Sequence, residues 1–353
     1  MPLHRGGRLT DAVLVYESWG TPATDGSNIV VVLTGLSTGA HASSSAADPT
    51  PGWWEPMIGP ERAIDTSRWY VLCFNYLGSC RGSTGPTSTD PGDGRPYAGR
   101  FPVISVEDIA DAIFLGLRNL GIETINTLVG TSMGGMVALS LLARHPGLAR
   151  RHVNISGAAH SLPHALALRS TQRSLVRSDP KYNNGFYTEE RFPYVGMKNA
   201  RKVALMWYRS PAEWERRFAR NRLDSSCDST RGGPLTFEVE GYIEHVASRF
   251  ARTFDANSFL ALSHALDQFD LTEHSRSSVE TTLSDLVIPD GALVVGTSSD
   301  MLFPLHQQRQ ILHGLRGAGV HTQFHELQSD LGHDAFLVEN DRLGTVLSEY
   351  LRQ

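Results

Sequence analysis

The stretch Val129-Gly130-Thr131-Ser132-Met133-Gly134-Gly135-Met136 constrains this chain more than any other. A β-forming run from Ile125 to Val129 leads into it and an apolar helical pattern from Met136 to Leu142 leads out, so Ser132 falls where a strand becomes a helix. Small residues at Gly130 and Gly134 let the backbone turn sharply and hold the serine in a strained conformation, its hydroxyl above the sheet edge. The free N–H groups at the helix start, beginning with that of Met133, then point at any oxyanion formed on an acyl group carried by Ser132. A glycine-rich turn can also serve close packing alone. Strand, serine at the bend and helix in that order are the setting of a nucleophile elbow.

A serine hydroxyl is a poor nucleophile until a base takes its proton, and that base needs a carboxylate to fix its tautomer. In doubly wound sheets of this kind the acid follows a late strand and the histidine a still later one. Asp300 follows the predicted strand Ala292 to Gly296, at the start of a loop. Among fourteen histidines, His333 lies in Leu331-Gly332-His333-Asp334-Ala335, between the last predicted strand and the last predicted helix. Ser132, Asp300 and His333 therefore form the expected triad. His145, His160 and His164 follow the nucleophile too closely in sequence for this topology. The second oxyanion donor is expected in the loop after the strand Asn28 to Thr34, and the N–H of Leu33, before Thr34-Gly35, is the expected group. No His-Glu-x-x-His zinc motif appears, so no metal is expected.

Alternation of strands and helices runs from Ala12 to Ser156, with strands also at Arg68 to Asn75 and His152 to Ser156. Ser105 and Asp108 form a capping-box start to a helix that Gly121 stops. From Ser161 to Asp285 the windows turn helical: Leu162 to Arg177, Gly196 to Tyr208, Ala212 to Arg222, Glu238 to Thr253 and Asn257 to Phe269. Strand signals resume at Ala292 to Gly296 and His321 to Leu327, around a helix Leu305 to Leu315, and a helix Ala335 to Leu351 ends the chain. This predicts an α/β fold, a mostly parallel doubly wound sheet in residues 1–157 and 286–353, with a helical lid inserted at 158–285.

The 353 residues, 41% hydrophobic, are enough for a sizeable core. A net charge of −5 without a sustained basic block argues against nucleic acid or an anionic membrane as partner and leaves small molecules. Cys73, Cys80 and Cys227 make an odd count without a C-x-x-C pair, which suits a reducing compartment. No apolar run follows the basic start Met1 to Arg8, so a cytoplasmic location is expected. Two loops allow more than one reading. Ser37 to Trp54, with the rigid Asp48-Pro49-Thr50-Pro51-Gly52 turn, reads equally as a surface excursion or a pocket wall. Asn75 to Pro86 is rich in Gly and Ser but matches neither a P-loop nor a dinucleotide fingerprint, and reads as an ordered loop near the site.

Leu33-Thr34-Gly35, Asn75-Tyr76-Leu77-Gly78-Ser79-Cys80-Arg81-Gly82, Ser132-Met133-Gly134-Gly135-Met136, Ala200-Arg201 with Tyr208-Arg209-Ser210, and Gly332-His333-Asp334-Ala335-Phe336 together resemble the homoserine O-acetyltransferase family. The resemblance spans nearly the whole chain and is nearest to the branch that includes serine O-succinyltransferases and serine O-acetyltransferases. It implies the α/β-hydrolase fold, no bound cofactor, and acyl-CoA (succinyl-CoA or acetyl-CoA) as co-substrate. An acyl group would pass from acyl-CoA to Ser132 and then to the side-chain hydroxyl of L-serine or L-homoserine. The resemblance further implies that Arg201, Tyr208 and Asp334 hold the amino acid, that Arg169 bears on acyl choice, and that the loop Pro49, Thr50, Pro51, Gly52 bears on acceptor choice. It also implies a homodimer formed through the lid.

Apart from the resemblance, Arg201 belongs to a stretch to Arg222 with seven basic and two acidic residues, which also suits a solvated face. Arg169, Arg173 and Arg177 recur every four residues and share one helix face. An esterase or thioesterase would use the same triad with water as acceptor, and an interaction protein on this fold would use none of it.

Overall fold

The computed structural model describes residues 1–223 and 237–353, and Cys227 lies outside them. Among the described residues nine strands run in chain order: β1 Tyr16–Trp19, β2 Ile29–Leu33, β3 Ile58–Gly59, β4 Ile64–Asp65, β5 Tyr70–Phe74, β6 Ile125–Thr131, β7 Ala149–Ile155, β8 Ala292–Thr297 and β9 Thr322–Leu327. Seven form one sheet in the order β1-β5-β2-β6-β7-β8-β9, parallel except for β1, which pairs antiparallel with β5. β3 and β4 make a separate two-stranded piece.

The central strands bury both faces, and that explains their near-continuous aliphatic runs. In β2, Val31 and Leu33 join an apolar cluster with Ile109, Ile113 and Met136, while Val30 and Val32 join another with Trp54, Leu343 and Leu347. Each such side chain, wholly removed from water, contributes roughly 1.5–3 kcal/mol. Helix α1, Val106–Asn119, begins with the Ser105–Asp108 capping box, and α2, Met133–Arg144, follows β6 directly.

Between β7 and β8 the described residues form helices: α3 Pro163–Arg177, α4 Tyr194–Tyr208, α5 Pro211–Phe218, α6 Glu238–Thr253, α7 Ala256–Gln268 and the short α8 Val279–Ser284. Helix α8 packs against α9, Leu305–Gly317, beside the sheet. The chain closes with α10, Ala335–Val338, and α11, Asn340–Arg352.

Three expectations shift. The first strand begins at Tyr16 because the Val13 and Val15 N–H groups donate to the hydroxyls of Thr84 and Ser83 instead of to a neighbouring strand. Helix α5 stops at Phe218 because Ala219 takes φ +43°, outside the helical region. The last helix breaks at Glu339, whose ψ of +48° divides α10 from α11. Among the described cysteines, Cys73 and Cys80 are free thiols.

Candidate active site

Ser132 sits between β6 and α2 at φ +54° and ψ −117°, a conformation that costs an L-residue of order 1–3 kcal/mol and persists only when its surroundings enforce it. They do. A Cβ on Gly130 would stand 2.3 Å from the Gly134 carbonyl oxygen, and one on Gly134 would stand 2.2 Å from that of Leu33. Only hydrogen fits at both places, so bend, helix start and neighbouring strand lock together.

The Ser132 hydroxyl lies 2.7 Å from His333 Nε2, and His333 Nδ1 lies 2.7 Å from Asp300 Oδ2. The other Asp300 oxygen accepts from the N–H groups of Leu302 and Phe303 at 2.8 and 2.9 Å, which fixes the carboxylate in place. His333 therefore carries its proton on Nδ1 and offers Nε2 to the serine. Burial of His333 disfavours its charged form, but the charge and hydrogen bond of Asp300, with the charge of Asp334, outweigh this and raise its pKa above the ordinary value of 6.5. The structure thus brings together residues separated by 201 and 33 positions.

The oxyanion candidates stand beside them. Met133 is the first residue of α2, where a helix leaves N–H groups without intrahelical partners. Leu33 ends β2 in register with Gly130, and the Thr131 hydroxyl donates to its carbonyl at 3.3 Å. Tyr76, from the loop Asn75 to Pro86, donates its hydroxyl to the Thr34 carbonyl at 2.7 Å, so that loop supports the turn from behind.

One cavity opens onto Ser132 and His333, lined also by Arg169, Arg201, Tyr208, Asp334 and Trp53. Arg201 has no carboxylate partner among the described residues. Its guanidinium carbon lies 5.3 Å from the Tyr208 ring centre and 4.7 Å from that of Phe250, and its Nε is buried without a hydrogen bond. Tyr208 lies 6.0 Å, ring to ring, from His333. Asp334 pairs with Arg209, whose Nε donates to Oδ2 at 3.0 Å. Trp207 packs beside His164 and does not line the cavity.

Two sequence-level placements look different in three dimensions. Arg169 is buried and already paired: its Nε meets Asp267 at 2.5 Å and an Nη donates to the Ser161 hydroxyl at 2.6 Å, while Arg173 takes the other Asp267 oxygen. The trio of Arg169, Arg173 and Asp267 keeps one net positive charge. Arg177, which shares their face in projection, is exposed and lines a separate cavity. The Pro49 to Gly52 turn lies outside the cavity lining, with Pro49, Thr50 and Pro51 exposed. Trp53, the residue after the turn, does line the cavity, and its Nε1 donates to the Gly39 carbonyl at 3.1 Å.

Sequence reasoning missed Asp267, Arg209 and Phe250. The signal for Arg209 was present in Tyr208-Arg209-Ser210, but its partner lies 125 residues away. Among the described residues, His4, Glu107 and Glu273 also approach one another, with possible ligand atoms within 4.8 Å, and none of them lines the cavity. Their separation in sequence hides the grouping.

A seven-stranded, mostly parallel sheet with a serine at the bend after β6, joined through histidine to an acid after β8, defines an α/β hydrolase, and the family model described as "alpha/beta hydrolase fold" matches residues 28–340. A serine O-succinyltransferase of Stenotrophomonas maltophilia is 49% identical over 99% of this chain and 94% of its own. An L-serine/homoserine O-acetyltransferase of Streptomyces lavendulae is 49% identical with the same coverage. The crystal structure of homoserine O-acetyltransferase from Bacillus anthracis superposes with a TM-score of 0.90 at 25% identity, covering 100% of this chain and 95% of that one. The chain belongs to the homoserine O-acetyltransferase family of α/β hydrolases.

Proposed function

We propose that this chain is an acyl-CoA-dependent serine O-acyltransferase with succinyl-CoA as its donor. The observation that carries the reading is Arg201: an arginine without a carboxylate partner among the described residues lines the same cavity as Ser132, His333 and Asp334. An α-amino acid needs a cation for its carboxylate and an anion for its ammonium, and Arg201 and Asp334 supply one of each. A hydrolase that uses water needs neither.

The reaction follows in two halves. Ser132 Oγ gives its proton to His333 Nε2 and attacks the thioester carbonyl; the C–S bond breaks, and His333 returns the proton to the departing sulfur. The acceptor hydroxyl then gives its proton to His333 and attacks the acyl-Ser132 ester, whose collapse returns the proton to Ser132. In each half the N–H groups of Met133 and Leu33 receive the oxyanion, and Asp300 stabilises the transient imidazolium. No bound cofactor or metal is required.

Of the trio Arg169, Arg173 and Asp267, which keeps one net positive charge, Arg169 lines the cavity, and that charge suits the distal carboxylate of a succinyl group. The relatives named as serine O-succinyltransferases support the same donor. The serine/homoserine O-acetyltransferase relative supports acetyl-CoA and homoserine as the second reading. The two acceptors differ by one methylene, which a pocket discriminates by about 1–3 kcal/mol. In this reading the Pro49 to Gly52 turn sets acceptor choice by placing Trp53. The product carries a better leaving group than a free hydroxyl, as sulfur incorporation into an amino acid needs. Residues 158–285 serve as the lid over a core of 1–157 and 286–353, and the protein works as a cytoplasmic homodimer joined through that lid. No helix among the described residues is long and apolar enough to cross a membrane.

A matrix of succinyl-CoA and acetyl-CoA against serine and homoserine, with products identified by mass, tests the reading. O-succinylserine is expected to form fastest. Release of free acid at one rate with or without amino acid overturns it.

A further inference from the structure

The negative charge that Asp334 offers the cavity depends on a buried pair behind it. Arg209 leaves α4 in an extended conformation (φ −117°, ψ +146°) and its Nε donates to Asp334 Oδ2 at 3.0 Å. Its Nη1 lies 3.8 Å from Glu213 Oε1 on the first turn of α5. The Arg209 side chain is 14% exposed and that of Glu213 only 5%. The second Glu213 oxygen is buried without a hydrogen bond.

The arrangement is rigid. Ser210 caps α5 by accepting from the Glu213 N–H, and its hydroxyl donates to the Asp330 carbonyl. A Cβ on Gly332, next to His333, would stand 2.5 Å from the Tyr208 carbonyl oxygen and 3.1 Å from Arg209 Cα. The α4–α5 junction is thus pressed against the loop that carries His333 and Asp334.

Charge then decides the function. Arg209 alone would cancel Asp334 and leave nothing for an ammonium. With Glu213 included, the three side chains sum to one negative charge, and Arg209 uses one Asp334 oxygen from outside the set of cavity-lining residues. Arg217 also approaches Glu213, at 3.7 Å, but is 42% exposed and acts through solvent.

We propose that Arg209 and Glu213 are positioning residues for the acceptor: Arg209 aims the Asp334 carboxylate, and Glu213 neutralises Arg209 so that Asp334 stays available to the amino group. This rests on the reading of Asp334 as the ammonium partner. Glu213→Gln keeps the shape and removes the neutralising charge, so the KM for serine should rise about tenfold while kcat at saturating serine moves far less. A hydroxy acid of the same length without the amino group should show no such rise, and neither should the variant made in an Asp334→Asn background. Arg209→Lys, which keeps the charge and loses the Nε donor, is the second variant; it should also raise the KM for serine, and less than Arg209→Gln does.

A KM for serine that is unchanged or lower in both Glu213→Gln and Arg209→Lys overturns the proposal. So does an equal rise with the acceptor that lacks the amino group, because a purely structural role would damage both. Asp334→Asn alone tests the reading underneath: no change in the KM for serine there removes Asp334 from the acceptor site, whatever Glu213 does.

Discussion

At the bend between β6 and α2, backbone presses on backbone; around α4 and its junction with α5 the same cavity is held by charges and by arginine–ring contacts. The bend tolerates no extra atom at Gly130 or Gly134 and keeps Ser132 at a strained φ. There Arg201 of α4 lies over the rings of Tyr208 and Phe250, and Arg209 at the junction holds Asp334, at distances that a side-chain rotation could change. Bond making needs the nucleophile placed within a few tenths of an ångström, which steric exclusion provides. Recognition of an acceptor needs fields of the right sign, which can be altered without disturbing the chemistry.

The sharpest way to break this contrast is at the bend. Ser132→Ala should lower acyl-CoA-dependent kcat by on the order of 10⁴-fold or more without unfolding the protein, measured by thiol release and far-UV circular dichroism. Activity within tenfold of the parent would remove the serine from the mechanism. Gly134→Ala comes next: its Cβ meets three backbone atoms of Leu33 and Thr34 within 3.0 Å, so a loss of about 3 kcal/mol in a denaturant titration is expected. Unchanged stability would show that the bend is softer than its contacts indicate.

At the other end, Arg201→Gln should raise the KM for serine by roughly 10–100-fold and leave the fold intact. An equal fall in the rate of acyl-enzyme formation would blur the division between the two regions. The smallest effect is on pH. His333 must be neutral to accept a proton and its pKa is raised, so kcat/KM should fall as pH drops through an inflection above 6.5. Asp334→Asn removes one of the raising charges and should move that inflection downward, read from a pH–rate profile. An upward move would mean that the Asp334 charge does not stabilise the imidazolium.

The helices Glu238–Thr253 and Met133–Arg144 were legible because an amphipathic or apolar period is a local property. The capping box at Ser105 and Asp108 was legible for the same reason. Asp300 and His333 were legible at one remove, since chain order and strand ends limit which acid and which histidine can meet a serine at that bend. Ion pairs were not. Asp267 lies 98 residues from Arg169, and no periodicity links them.

By itself, the sequence determined the serine's bend, the strand-helix alternation and the helical insertion, because each is written in neighbouring residues whose sterics act over a few bonds. Tertiary structure alone decided which charges remain available in the cavity. Arg169 is shared with Asp267, Asp334 is held by Arg209, and Arg201 is left over rings, since the net charge at a point depends on what folding brings within a few ångströms of it.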